Sequence, residues 1–348
     1  MSHGFFARVP IGASRMASRA GWLLGMALVV GIAIPAAADQ AAPAKPEAAK
    51  PSEQSTKRLE LKTSDNATIA AWFYPKPEDA DEQGTVILVH DLGGSHRTVD
   101  PLAQTLQKAG YAVVAPDLRG HGESPLPTLP PPANGGDQSK TLKKNDFEAM
   151  AATSGGRVRS QASVYGDLEC VHAWITAEAD KGTLARQPLF LVGSGLGGTL
   201  AATWTAADAL WPPIISGPQG GQVSGLVLVS PVYATRGFSI APALGSDVLR
   251  RSLPLLIIDG SADRDGIKVF DQLKRQRPKQ WFDSRQSAED RAEAGAANAK
   301  PTLYLLQSPL ERTGDELAAH RSADPRKAAA DPATLIIGFM STAARQGR

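Results

Sequence analysis

VILVHDLGGSHRTVDPLAQTLQKAGYAVVAPDLRGHGES, Val86 to Ser124, sets two near-continuous apolar runs on either side of one stretch with helical spacing. Val86 to His90 and Tyr111 to Pro116 lack the in-and-out alternation of a half-exposed strand, so both read as strands buried on two faces. Between them, Val99 to Ala109 repeats its apolar residues with a helical period. Strand, helix and parallel strand follow. The same unit recurs downstream, with apolar runs at Pro188–Gly193, Val223–Ser230, Pro254–Asp259 and Thr302–Leu306. Helical stretches at Ser163–Ala179, Gly198–Ala207, Gly266–Lys274 and Ala333–Ala344 alternate with them. This order predicts an α/β fold with a mostly parallel central sheet and helices on both faces. Upstream, Leu59 and Leu61, the turn residues Ser64-Asp65-Asn66 and the run Ile69 to Tyr74 predict a β-hairpin.

The amino terminus reads differently. Arg8, Arg15 and Arg19 precede an apolar run from Gly21 to Ile34, and Ala36-Ala37-Ala38 fits a small-residue cleavage site, so residues 1–38 read as a signal peptide cut before Asp39. The other reading is an uncleaved anchor, for which this run falls short of the ~20 residues that span a bilayer. Residues 39–56, rich in Ala, Pro and Lys, read as a flexible linker, and 57–348 as a single domain. The expected location is the periplasm or the exterior, with no membrane span once the signal is removed.

Hydrophobic residues make up 42% and charged residues 21%, a globular composition. Removing three arginines takes the 37 basic residues to 34 against 35 acidic, a mature charge of −1. No basic surface for nucleic acid follows from that balance. The only cysteine, Cys170, lies in a helical pattern and reads as a small core residue. Segments at about 125–161 and 284–300 interrupt the strand–helix plan as surface insertions, the first with a short helical candidate around Asp146 to Ala152. The interval from Ser230 to Pro254 is too short for a lid domain, so the first insertion is expected to cover any pocket.

Val86 to Ser124 resembles the α/β-hydrolase superfamily, in its lysophospholipase-like and serine-aminopeptidase-like branch. The resemblance implies that the turn His90-Asp91-Leu92-Gly93-Gly94 helps to form an oxyanion hole, with Asp91, Leu92 and Leu196 as the hole residues. Asp91 stands where the family usually has glycine, and its charge is unfavourable for an oxyanion. His90 reads as a strand-end packing residue and His121 as a loop buttress. Family members carry G-x-S-x-G, the nucleophile elbow, after the third of these strands. Here the stretch is Gly193-Ser194-Gly195-Leu196-Gly197, which puts Gly195 at the vacant nucleophile position. Ser194 is the other candidate nucleophile, one position out of register. Gly193, Gly195 and Gly198 also match G-x-G-x-x-G, but on the wrong strand for dinucleotide binding and with no acid ~20 residues on.

The resemblance assigns the acid position to Asp263, which can equally be a turn-capping residue. Gln307 to Glu316, where the family's histidine should fall, has none. His320, in a helical stretch further on, is either an ordinary surface histidine or a displaced base. The six histidines and single cysteine show no metal-ligand spacing, so no metal or cofactor is expected. The expectation is an exported hydrolase-like protein that is catalytically degenerate and binds a small molecule or an acyl- or peptide-like ligand. The alternative is an active esterase, amidase or lipase with displaced catalytic residues.

Overall fold

The computed structural model describes residues 56–129, 137–153, 166–212, 220–278, 280–287, 289–290 and 301–346. Residues 1–38, read as a signal peptide, residues 39–55 of the segment read as a linker, and much of both expected insertions lie outside them. Among the described residues no helix is long and apolar enough to cross a membrane.

Two strands open the domain: β1 (Lys57–Lys62) and β2 (Thr68–Tyr74), paired antiparallel around a turn in which Asn66 takes a positive φ. β3 (Gly84–Val89), β4 (Tyr111–Pro116), β5 (Leu189–Ser194), β6 (Val223–Val229), β9 (Leu255–Asp259) and β11 (Leu303–Gln307) are the apolar runs of the sequence, the first three buried throughout. β7 (Ala234–Thr235) and β8 (Phe238–Ser239) form a separate hairpin, and β10 (Trp281–Asp283), which the sequence reading did not expect, adds an edge strand just before the second insertion. Among the described residues the main sheet has the order β1-β2-β4-β3-β5-β6-β9-β11-β10. Every pairing from β4 to β10 is parallel.

The helices are α1 (His96–Lys108), α2 (Lys144–Met150), α3 (Asp167–Asp180), α4 (Leu196–Asp208), α5 (Ala241–Leu244), α6 (Asp247–Arg251), α7 (Asp265–Lys274), α8 (Gly314–Ala318) and α9 (Pro332–Gln346). Alternation along β3 separates two cores. Ile87 and Val89 point to the side of Leu168, Leu200 and Phe270, from α3, α4 and α7, while Val86 and Leu88 point to the side of Leu102, Leu317 and Ile336, from α1, α8 and α9. Both faces of a parallel sheet are thereby covered.

Local chemistry starts α1 three residues earlier than its apolar period suggests. The Ser95 side chain accepts the Arg97 N–H, and the Ser95 N–H donates to Thr98, a reciprocal cap. α2 lies within the first insertion and packs on the small hairpin, with Phe147 5.8 Å from Phe238 between ring centroids. Cys170 is buried in α3, where burial pushes its thiol well up.

Candidate active site

In an open parallel sheet the reactive crevice lies beyond the carboxyl ends of the strands. The segments leaving β3, β5 and β11 meet there. β5 passes into α4 through Gly195, whose φ of +52° and ψ of −124° lie outside the regions open to side-chain-bearing residues at no cost. Side chains at the flanking glycines are also excluded: a Cβ on Gly193 would overlap the Gly197 carbonyl, and one on Gly197 the His90 carbonyl.

Space at Gly195 is already taken. A Cβ built there would overlap the carboxyl carbon and both oxygens of Asp91. That carboxylate accepts two hydrogen bonds at Oδ1, from the backbone N–H of Leu92 at 2.7 Å and of Leu196 at 2.7 Å. Burial pushes the Asp91 carboxyl up, the Leu196 and Leu92 N–H groups oppose that, and the nearby charge of Asp315 adds to the rise. The sequence reading made Asp91, Leu92 and Leu196 joint contributors of a hole; the structure corrects this for Asp91. Its side chain is the guest of the other two, and its own N–H donates to Asp315 Oδ1 at 2.8 Å.

Asp315, in the first turn of α8, completes the arrangement. It accepts from the hydroxyls of Ser194 and Thr98 as well as from the Asp91 backbone. Gly314 beside it has a φ of +52°, and a Cβ there would overlap Asp91 Oδ2. Ser194 itself is buried, and its hydroxyl is committed to Asp315 and, at 3.4 Å, to the Val89 carbonyl. Among the described residues no serine hydroxyl is hydrogen-bonded to a histidine ring.

The other expected residues stand apart from this cluster. Asp263 closes the turn that leads into α7, accepting the Asp265 N–H at 3.0 Å. His320 lies beyond the end of α8, not within a helix as its surroundings in sequence suggest, because the chain turns after Ala318. No hydrogen bond joins its ring to Asp263 or Ser194 among the described residues. His90 serves position: its Nδ1 contacts the Asp91 carbonyl at 2.7 Å and its Nε2 accepts the Leu118 N–H at 3.1 Å, which leaves the proton on Nδ1. His121 packs 4.9 Å from His90, and burial, helped by His90, lowers its imidazole to about 4, so the ring is neutral at neutral pH. Arg119 is buried between Asp65 and Asp167 and fastens the loop after β4 to the β1–β2 turn and to α3.

Residues 80–278, more than half of the chain, match the family model described as serine aminopeptidase, S33. The chain belongs to the serine aminopeptidase S33 family. No curated protein matches its sequence. Among solved structures it resembles a dienelactone hydrolase from Anabaena variabilis at 14% identity, with a TM-score of 0.50 over 83% of this chain and 98% of that one. An esterase from Pyrococcus furiosus matches at 13% identity over 83% and 90%, with a TM-score of 0.49. A lidless α/β serine hydrolase from Xanthomonas campestris matches at 15% over 84% and 95%, with a TM-score of 0.40. At 14% identity the likeness to the dienelactone hydrolase speaks for the fold and nothing finer.

For a member of the S33 family the residue that sequence reasoning missed is Asp315. A search for histidine passed over it, although Gly314-Asp315 opening a helix after the last long strand was a visible signal. Arg312, within the stretch where the family's histidine should fall, is exposed.

Proposed function

We propose that this S33-family protein has given up serine-hydrolase chemistry and works as an exported ligand-binding or scaffold module on a hydrolase fold. The observation that carries this reading is the Asp91 carboxylate. It fills the space of a nucleophile's Cβ at position 195 and takes both backbone N–H groups that would otherwise face an oxyanion. A substrate carbonyl would have to displace a charged acceptor from those donors, and each hydrogen bond to a charged group is worth roughly 1.5–3 kcal/mol. Among the described residues no hydroxyl–imidazole pair near the elbow offers to repay that cost.

The test is labelling of the mature protein with a fluorophosphonate probe, alongside hydrolysis of p-nitrophenyl esters. Neither should exceed background. Labelling that disappears in Ser194→Ala would establish the alternative, an active hydrolase with a displaced nucleophile. Export rests on the arginines, apolar run and alanines of residues 1–38, and mass spectrometry of protein from its native host should find Asp39 at the amino terminus. An intact Met1 would point instead to an anchor. The ligand of the module is proposed as a small molecule or an acyl- or peptide-like group.

A further inference from the structure

Two carboxylates meet at the elbow, and each is held through the other. Asp91 donates its backbone N–H to Asp315 Oδ1 at 2.8 Å. Its own carboxylate lies against Gly314, the residue before Asp315, so closely that a Cβ at 314 would stand 2.3 Å from Asp91 Oδ2. Both acids are partly buried and not sealed, so solvent protons reach them. Like charges gathered in one partly desolvated place oppose each other's ionisation.

The hydrogen bonds decide which acid takes a proton. Asp315 has a donor on each oxygen: the Asp91 N–H and the Ser194 hydroxyl on Oδ1, and the Thr98 hydroxyl on Oδ2. Asp91 has both of its donors, the N–H groups of Leu92 and Leu196, on Oδ1, each at 2.7 Å. No donor among the described residues is hydrogen-bonded to Asp91 Oδ2. A proton arriving at the pair therefore has its place on that oxygen. Burial pushes the Asp91 carboxyl up, the Leu196 and Leu92 N–H groups pull it down, the charge of Asp315 raises it and His90 lowers it; the net direction is upward from 3.8. Asp315 faces it from α8 and His90 from the end of β3, while the first residues of α4, Leu196-Gly197-Gly198, bring no charged side chain.

We propose that the plug is a proton-operated gate: at neutral pH the charged Asp91 carboxylate closes the Leu92 and Leu196 N–H pair, and in acid the neutral carboxyl yields that pair to the carboxylate of a ligand. This deepens the plugged-site reading and rests on it. A hydrogen bond to a charged acceptor is roughly twice as strong as one to a neutral acceptor, so protonation turns Asp91 from a strong occupant into a weak one. The ligand class follows from the present occupant, since the two N–H groups already converge on one carboxylate oxygen.

The experiment follows the 15N–1H signals of Leu92 and Leu196 and the 13C signal of the Asp91 carboxyl in the mature protein, from neutral pH down to about pH 4. Sodium trifluoroacetate, which stays ionised throughout, is the ligand probe and is read by its 19F signal at both ends. All three protein signals should titrate with one midpoint above 3.8, and trifluoroacetate should broaden saturably only on the acid side of it. Asp315→Asn should lower that midpoint by removing the like charge. Asp91→Asn, neutral at every pH, should show no step and should bind trifluoroacetate at both ends; where Asp315→Asn does not fold, Asp91→Asn decides. The proposal is overturned if the two amides do not titrate together, if their midpoint is at or below 3.8, or if the step survives in Asp91→Asn. Acid unfolding before the step, or trifluoroacetate binding that is equal or absent on both sides of it, overturns it as well. Fluorophosphonate labelling stands apart from all of these outcomes: labelling at background with no titration removes the gate and leaves the loss of hydrolase chemistry in place.

Discussion

Gly195→Ser restores the family's elbow residue at the one place where this chain has filled the room for it. The substitution meets two costs. A side chain at φ +52° carries backbone strain of about 1–3 kcal/mol. The new Cβ must also expel the Asp91 carboxylate, which breaks its bonds to Leu92 and Leu196, each worth roughly 1.5–3 kcal/mol. Together the loss should be about 4–9 kcal/mol, large against typical single substitutions. Asp91→Gly, which brings in the family's usual residue, breaks the same two bonds by deletion. In the double variant they are lost only once. Urea unfolding of the four proteins should therefore give a double variant more stable than the sum of the singles implies, by about 3–6 kcal/mol, at or above the top of the range seen for residues in contact. Additivity to within about 0.5 kcal/mol would mean that Asp91 does not occupy the Gly195 space in solution, and the plugged-site reasoning would fall with it.

Three other predictions are independent of that cycle. With Asp91→Gly and Gly195→Ser in place, Asp315→His should raise fluorophosphonate labelling by about 10²–10⁴-fold over the double variant, the usual contribution of a general base, whereas Arg312→His should not. Labelling equal for both would refute the placement of Asp315 over the elbow. The carboxyl of Asp259 is fully buried without a close hydrogen bond among the described residues, and burial, then the charges of Asp263 and Asp265, push it from 3.8 up to about 7, against the weaker pull of the nearby Ile267 N–H and of Arg285. The folded state then keeps a proton that the unfolded chain has released, so stability should fall as pH rises from about 4 to 7, by at most about 4 kcal/mol, and stay low above that. Asp259→Asn should flatten this slope in pH-dependent denaturation, and an unchanged slope would exclude Asp259 as its source. Gly338, inside α9, would place a Cβ in open space beside an apolar cavity of about 290 Å³. Gly338→Ala should accordingly stabilise the protein by about 0.5–1 kcal/mol, and a lower melting temperature would mean that the helix needs the flexibility of glycine there.

The amino-acid sequence by itself determined the long strands of the sheet and the longer helices between them, because burial on two faces leaves short apolar runs whose length and β-branched residues mark them as strands. It also determined that Gly195 stands at the elbow, since the close backbone crossing requires Gly193 and Gly197 at fixed spacing on either side. Its misses share one cause. The edge strand Trp281–Asp283 has only three residues and borrows its order from Leu303–Leu305 beside it, so no local pattern announces it. Asp91, Asp315 and Ser194 are separated by about a hundred residues or more, and only the closing of the fold brings their oxygens together. Sequence could say that a charge at position 91 is wrong for an oxyanion hole. That the charge lies inside the hole, bonded to Leu92 and Leu196 and excluding a side chain at Gly195, depends on how strand ends 105 residues apart are set against each other, and that is a property of the tertiary structure alone.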